Sequence, residues 1–144
     1  NWGVLLAYAA HAGRLDPAPV AAWLGGIAWT IFYDTIYAHQ DAEDDALIGV
    51  KSTALLFGEN SPTILLGFAG LSVVLLALAI VLTGEGPVIG SVIGLIGLAG
   101  FAAHLMWQWS RLDPKDNSGC TRLFRSNRDA GLILALFLAI AGLV

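Results

Sequence analysis

The sequence predicts an all-α fold, a polytopic bundle of transmembrane helices, and composition and segment length carry that prediction. Apolar residues make up 57% of the 144 residues, charged residues make up 12%, and the mean hydropathy is +0.74. A water-soluble domain of this size could hardly cover such a composition with polar surface. Several apolar segments also approach the roughly 20 residues that a helix needs to cross a bilayer. The net charge of −4 is concentrated in a few acids and says little about partners, and we expect no nucleic-acid partner.

Five apolar segments lie between charged or turn-rich breaks, and they define the predicted spans. They cover residues 1–10, 18–40, 62–82, 87–109 and 129–144. The middle three are long enough to cross a bilayer, the first resembles the tail of a cut helix, and the last is marginal in length. The chain lacks an initiator Met and ends inside an apolar segment. We therefore expect one partial transmembrane domain over 1–144, the C-terminal part of a longer protein.

Prolines, a capping pattern and glycines mark the expected helix starts and contacts. Pro17, Pro62 and Pro87 each follow a break, and proline is well tolerated in a first helical turn. Residues 126–129 resemble a capping box and predict a helix start there. Small residues at spacings of three and four predict close packing between helices in lipid. These are the glycines at 67, 70, 90, 94, 97 and 100.

The basic residues are distributed unevenly between the loops, which predicts the orientation in the membrane. Six of the seven lysines and arginines lie in 41–61 and 110–128, whereas Arg14 alone lies in a loop on the other side. By the positive-inside rule, the first two loops face the cytoplasm. We expect an integral protein of a bacterial inner membrane, with these two loops, which also hold most of the candidate site residues described next, on the cytoplasmic side.

Acidic residues follow the second apolar segment directly and form the main candidate site. Asp34, Tyr37, Asp41 and Asp45 are spaced by 3, 4 and 4, so they share one face if the helix continues. Mg²⁺ suits such a cluster, because it prefers oxygen ligands and is held by one or two carboxylates together with substrate phosphates. Asp41 and Asp45 are the candidate metal ligands, with Asp44 as a third. The alternative is a solvated interfacial loop.

Asp34 and three basic residues extend this candidate site. Asp34 follows a long uncharged run, at a depth where an unpartnered charge costs at least a few kcal/mol. We interpret it as functional, the alternative being a structural pair with a basic residue of another helix. Lys51 supplies a point charge for a phosphate, or serves as a topology anchor. Arg125 and Arg128 either attract anionic headgroups or add positive charge over a bound diphosphate.

Two longer patterns resemble a known family. Residues 33–45 followed by 48–58 closely resemble the second aspartate-rich motif of the UbiA superfamily of intramembrane prenyltransferases. The pattern is nearest to the 4-hydroxybenzoate polyprenyltransferases of that superfamily. Residues 120–131 are similar to the last cytoplasmic loop of the same subfamily, so the resemblance covers essentially the whole chain.

The resemblance implies a membrane enzyme of about nine spans that uses Mg²⁺ to hold a polyprenyl diphosphate. It would transfer the prenyl group to 4-hydroxybenzoate, an early step of ubiquinone synthesis. Asp41 and Asp45 match the metal-binding acids of the family's DxxxD motif. Tyr37 would stabilise the allylic cation or bind the diphosphate. The positions lining the same polar cavity are matched by Asp34, Tyr37, Asp44 and Lys51.

One departure from the family pattern restricts these expectations. The family carries a first aspartate-rich motif on an early helix, and this chain has no such motif, so we expect the fragment alone to be inactive. Residues that bind the aromatic acceptor are expected in the missing part, which leaves other aromatic acceptors as an alternative. A non-catalytic membrane or ion-transport protein is a further alternative. However, 62–82 and 87–109 contain no charged residue to form an ion path.

Overall fold

The computed structural model describes residues 2–83 and 87–144, and this part of the chain is helical, without strands. In chain order the helices are α1 (Gly3–Ala12), α2 (Pro17–Ala38), α3 (Ala42–Ile48), α4 (Thr53–Phe57), α5 (Ser61–Leu82), α6 (Val88–Ser110) and α7 (Asn117–Ala141). Short 3₁₀ turns occupy His39–Asp41 and Gly58–Asn60. The predicted all-α fold is confirmed.

Four long helices form the bundle. α2 packs along α5 and α6 packs along α7, while α5 also contacts α6 and α2 also contacts α7. α1 packs against α2, and α4 contacts both α2 and α5. Large apolar side chains from the four long helices fill the space between them. The largest buried ones are Phe32, Ile36, Leu65, Phe101 and Leu105.

The proline signals are confirmed at two helix starts. α2 begins at Pro17, and Pro62 is in the first turn of α5. Proline lacks the N–H that a first turn leaves unpaired and has a backbone angle suited to a helix. Pro87 directly precedes α6, which begins at Val88. Its preceding residue, Gly86, lies outside the described residues.

The capping box predicted at 126–129 is wrong, because α7 begins about three turns earlier. Asp116 caps this helix, accepting a hydrogen bond from the Gly119 backbone N–H at 2.9 Å. The polar residues of 117–128 are compatible with a helix because the buried positions recur every three or four residues, which keeps one side apolar. The buried residues are Cys120, Leu123, Asn127, Ala130 and Leu134.

The glycine prediction is confirmed on α6 and wrong on α5. A Cβ atom on Gly97 would overlap Phe137 of α7, with its Cγ at 2.8 Å, and a Cβ on Gly100 would lie 3.0 Å from Ile133. By contrast, a Cβ on Gly67 or Gly70 would meet nothing within 4 Å among the described residues. Of the six predicted glycines, only those on α6 therefore lie in close contact with another described helix.

Two helical runs, Thr53–Leu82 and Val88–Ser110, are long and apolar enough to cross a membrane. They contain the predicted spans 62–82 and 87–109. α1 is a shorter apolar helix, while α2 and α7, with 22 and 25 residues, are less apolar than α5 and α6. The spans at 1–10, 18–40 and 129–144 stay predictions.

Candidate active site

The acidic cluster does not continue α2. That helix ends at Ala38, the 3₁₀ turn His39–Asp41 follows, and α3 begins at Ala42. Asp41 leaves helical geometry, with φ −112° and ψ 8°. The 3, 4, 4 spacing depended on a continuous helix, so the predicted single face of acids is corrected here. Asp34 and Tyr37 lie on α2, Asp41 lies in the turn, and Asp44 and Asp45 lie on α3.

The electrostatics of helix ends explain this break. The C-terminal end of a helix carries partial negative charge and the N-terminal end carries partial positive charge. A longer α2 would place the acids at its negative end. The new helix instead places Glu43, Asp44 and Asp45 in the first turn of α3. The acidic sequence therefore favours a second helix start over a continued first helix.

The acids of this segment are available to a cation. Asp34, Asp41 and Asp44 are exposed and Asp45 is half-buried, and none of the ion pairs found in the described residues involves them. Within 2–83 and 87–144, no three acid, histidine or cysteine side chains are grouped to hold a metal. Carboxylate oxygens are the ligand type that Mg²⁺ prefers, so the residue types of Asp41 and Asp45 suit this ion, and metal binding by them stays a prediction.

A contact between α2 and α7, which we call the α2–α7 seam, extends away from the acids. It consists of Trp29, Tyr33 and Tyr37 of α2 and Phe124 and Asn127 of α7. The ring centroids of Tyr37 and Phe124 are 4.6 Å apart, and those of Tyr33 and Phe124 are 5.8 Å apart. The Trp29 indole N–H donates to the Asn127 side-chain oxygen at 2.9 Å. The seam therefore places an aromatic surface beside the acidic segment.

A cavity of about 320 Å³ opens on this seam. Its lining combines aromatic and basic side chains: Trp29, Tyr33, Phe124, Arg125, Asn127 and Arg128. Arg128 forms an exposed ion pair with Asp129 at 2.9 Å, whereas none of the ion pairs in the described residues involves Arg125. Both arginines lie within helix α7 and not in a flexible loop. The structure thus brings these two predicted diphosphate-binding residues to one cavity.

Lys51 lies apart from that cavity. It lines a different opening of about 430 Å³, formed by Val50, Lys51, Ser52, Thr53, Leu55 and Leu56. Thr35 of α2 donates to Thr53 at 2.8 Å, which holds the start of α4 against α2. The structure therefore does not join Lys51 to the cavity of Arg125 and Arg128, and its role stays a prediction.

Sequence reasoning missed the residues that join α2 to α7. Gln40 accepts a hydrogen bond from the Thr121 hydroxyl at 2.6 Å, one turn from the Tyr37–Phe124 contact. The spacing of four between Trp29, Tyr33 and Tyr37 was a signal for an aromatic helix face. No comparable signal indicated that Thr121 would face Gln40, because α7 was not expected to begin before 126.

Comparison with known proteins places the chain in a family. The model of the UbiA prenyltransferase family matches residues 1–141, so the chain belongs to that family. Among similar curated proteins are the mitochondrial 4-hydroxybenzoate polyprenyltransferases of Dictyostelium discoideum, Homo sapiens and Bos taurus. They are 42%, 42% and 44% identical over 100%, 99% and 99% of this chain, and the aligned part is 30%, 38% and 38% of each relative. No solved structure gives a significant match.

The family and the helices together identify an integral membrane protein. The chain spans about a third of the length of the curated relatives that it matches. The relatives carry the word mitochondrial in their names. The sidedness of the loops stays a prediction from the distribution of basic residues, and the bacterial location stays a prediction as well.

Proposed function

We propose that this chain is the C-terminal part of a Mg²⁺-dependent 4-hydroxybenzoate polyprenyltransferase of ubiquinone synthesis. The observation that carries the proposal is that the turn holding Asp41, an acid outside the ion pairs of the described residues, packs on helix α7, which also presents Arg125 to the cavity on the α2–α7 seam. A site of this kind offers oxygen ligands, positive charge and an aromatic wall together. The names of the curated relatives support this choice of donor and acceptor.

The reaction exchanges one bond for another. The bond between the allylic carbon and the diphosphate oxygen breaks, and its electron pair leaves with the diphosphate. The ring carbon ortho to the hydroxyl of 4-hydroxybenzoate forms a bond to the allylic carbon and then loses its proton. No oxidant or reductant is needed. The protein must therefore stabilise the leaving diphosphate and protect an allylic cation from water.

The acids and the arginines would serve the diphosphate end of the donor. Asp41 and Asp45, with Asp44, would hold Mg²⁺, which when bound supplies positive charge to the leaving group. Arg125 and Arg128 would add charge-assisted hydrogen bonds to phosphate oxygens. Lys51 lines a separate opening, so the diphosphate-binding role that the family resemblance implies for it stays a prediction.

The seam would serve the cationic end. An aromatic face attracts a cation within about 6 Å of the ring centroid. Tyr37 is 41% exposed, and its ring centroid lies 4.6 Å from that of Phe124. The exposed part of the ring can therefore face a substrate. This arrangement supports cation stabilisation by Tyr37 more than diphosphate binding. Asp34 lies one turn before Tyr37 on α2 and would add negative charge near the same position.

The orientation proposal follows from charge alone. The segments 41–61 and 110–128 hold six of the seven basic residues, which favours the cytoplasmic side of a bacterial inner membrane. The acids and Arg125 belong to these segments, so the diphosphate would enter from that side. Its prenyl chain would extend into the lipid bilayer.

The test is prenyl transfer by the full-length parent protein in membranes. Labelled 4-hydroxybenzoate and a polyprenyl diphosphate are supplied with Mg²⁺ or with a chelator, and Asp41→Asn and Asp45→Asn are compared with Glu59→Gln. Glu59 is an exposed acid in the 3₁₀ turn before α5 and serves as the control. We expect chelator and either aspartate substitution to abolish product while the control retains it. Full activity of both aspartate variants would refute the site, and transfer only to another aromatic acid would move the protein to another acceptor class.

A further inference from the structure

Gln40 lies between the acidic segment and helix α7, in hydrogen-bonding contact with both. Its side-chain oxygen accepts from the Thr121 hydroxyl at 2.6 Å, and its side-chain N–H₂ donates to the Asp41 carboxylate at 3.2 Å. Gln40 and Thr121 are both half-buried. The three side chains thus form a short hydrogen-bonded series from the first turns of α7 to one of the candidate metal ligands.

The chemistry of the series determines which way the Gln40 amide points. An ionised carboxylate only accepts hydrogen bonds, so the amide nitrogen must face Asp41 and the amide oxygen must face Thr121. The Thr121 hydroxyl has one proton and lies 2.6 Å from Gln40 and 3.0 Å from the Asn117 carbonyl oxygen. The shorter contact favours donation to Gln40. Each group then has one defined role, and the amide cannot turn over without placing its oxygen against the carboxylate.

The packing of α2 and the following 3₁₀ turn against α7 supports the pairing of Gln40 with Thr121. Tyr37 meets Phe124 on the same seam, and Gln40 follows Tyr37 by three residues just as Thr121 precedes Phe124 by three. Two antiparallel segments keep such pairs aligned, because advancing along one corresponds to moving back along the other. The 3₁₀ turn itself packs against α7. The position of Gln40 is therefore set by α7 and not only by its own short turn.

We propose that Gln40 is a positioning residue that orients the Asp41 carboxylate for metal binding, with Thr121 holding Gln40 in place. This inference rests on the proposed function. Asp41 is exposed and lies in a turn, and the amide of Gln40 is the side-chain donor that the structure shows for it among the described residues. A carboxylate held by an outer hydrogen bond loses less rotational freedom when it binds a cation. Gln40 would thereby raise metal affinity without touching the substrate.

The test measures metal binding separately from turnover. Mn²⁺, a spectroscopic substitute for Mg²⁺, is titrated into the detergent-solubilised full-length parent and free Mn²⁺ is read by electron paramagnetic resonance. The signal of interest is the binding that Asp41→Asn removes. Gln40→Met keeps the length of the side chain without its amide donor and acceptor, and Gln40→Leu removes the same groups from a shorter side chain. Thr121→Val removes the hydroxyl at constant shape, whereas Thr121→Ser restores it.

We expect Gln40→Met and Gln40→Leu to weaken this Mn²⁺ binding roughly 10- to 100-fold. Thr121→Val should weaken it less, in the same direction, and Thr121→Ser should restore it. In turnover, the Mg²⁺ concentration for half-activity should rise while the KM for 4-hydroxybenzoate stays unchanged. A purely structural role of Gln40 would not change the Mg²⁺ requirement while leaving the KM for 4-hydroxybenzoate unchanged. Thr63→Val, at an exposed threonine in the first turn of α5, is the matched control.

Two results would overturn the inference. One is wild-type Mn²⁺ affinity in both Gln40 variants, and the other is an absence of Asp41-dependent Mn²⁺ binding in the wild-type protein. Prenyl transfer by the wild-type protein reports on the proposed function independently. An active enzyme whose metal affinity ignores Gln40 would refute the positioning role alone, whereas Gln40-dependent Mn²⁺ binding without prenyl transfer would refute the proposed function alone.

Discussion

The Trp29 indole N–H on α2 donates a 2.9 Å hydrogen bond to the Asn127 side-chain oxygen on α7, joining residues 98 positions apart in the chain. The Asn127 amide N–H₂ in turn donates to the Leu123 and Phe124 carbonyl oxygens within α7. Trp29 also packs edge-to-face on Phe101 of α6, with centroids 5.1 Å apart. One aromatic side chain thus aligns three helices around the candidate site.

Trp29→Phe should destabilise the protein by removing this hydrogen bond while keeping an aromatic ring in the core. Hydrogen bonds between helices in membranes contribute about 0.6 to 1.7 kcal/mol, and we expect a loss in that range for the full-length parent in detergent. The measurement is reversible unfolding followed by circular dichroism. Trp107→Phe is the control, because Trp107 is 46% exposed and its indole forms no hydrogen bond with the residues that the structure describes. Equal stability of the two variants would contradict the role of the bond.

Gly97→Ala should separate α6 from α7. The added methyl would overlap the Phe137 side chain at its Cβ and Cγ atoms, which cannot withdraw as the end of a flexible chain can. Overpacking of this kind typically costs about 1 to 3 kcal/mol. Gly70→Ala is the control on α5, where the new methyl meets nothing within 4 Å in the described chain. In the same unfolding measurement, the free energy of unfolding of Gly97→Ala should be clearly lower than that of Gly70→Ala. Equal values for the two variants would show that the contact between α6 and α7 is looser than the structure indicates.

The Cys120 thiol should react slowly with alkylating reagents. It is fully buried on α7, and burial, followed by the negative charges of Asp116 and Asp113, raises its pKa from 9.0 to about 11. The thiolate is the reactive form, so a rise of this size leaves roughly 100-fold less of it at neutral pH. The measurement is iodoacetamide labelling followed by mass spectrometry of the Cys120 peptide, in folded and denatured protein. Ser110→Cys supplies an exposed thiol as an internal comparison, and equal labelling rates at the two positions would contradict the prediction.

Asp116 should make the start of α7 sensitive to acid. The pKa of Asp116 is lowered from 3.8 mainly because its carboxylate accepts the Gly119 backbone N–H, and also because of Ser118 and Arg122. A lowered folded-state pKa means that the stabilisation is present above 3.8 and is lost as the pH falls through the folded-state value. Proteolysis within 117–122 should therefore increase on acidification below about pH 3.8, measured with an acid-stable protease.

Asp116→Asn is the matched variant for that experiment, because asparagine is also a good helix cap but does not titrate. Its cleavage rate should stay nearly constant over the same pH range, while Asp116→Ala should be cleaved readily at every pH. An identical pH profile for wild type and Asp116→Asn would assign the acid sensitivity to another group.

The sequence by itself determined the helical class, the two most apolar helices, the proline-marked starts of α2 and α5, and the residue types of the candidate site. These features depend on composition, on segment length and on local backbone chemistry, all of which a single chain segment carries. The acids of 41–45 and their suitability for a cation were visible for the same reason. The family resemblance over 33–58 rested on the same contiguous residues, and the family match confirmed it.

Only the tertiary structure decided where α7 begins, which glycines contact a neighbouring helix, and which residues meet on the α2–α7 seam. From sequence alone, the polar residues 117–128 predict a loop. The structure shows that they form a helix because one side of it is buried against other helices. Gly70 and Gly97 look alike in sequence, yet only Gly97 faces a partner helix. Gln40 and Thr121 are 81 positions apart in the chain, and their pairing depends on how the 3₁₀ turn after α2 is placed against α7. Such contacts are set by the packing of the whole bundle, because no local pattern encodes the distance between segments remote in the chain.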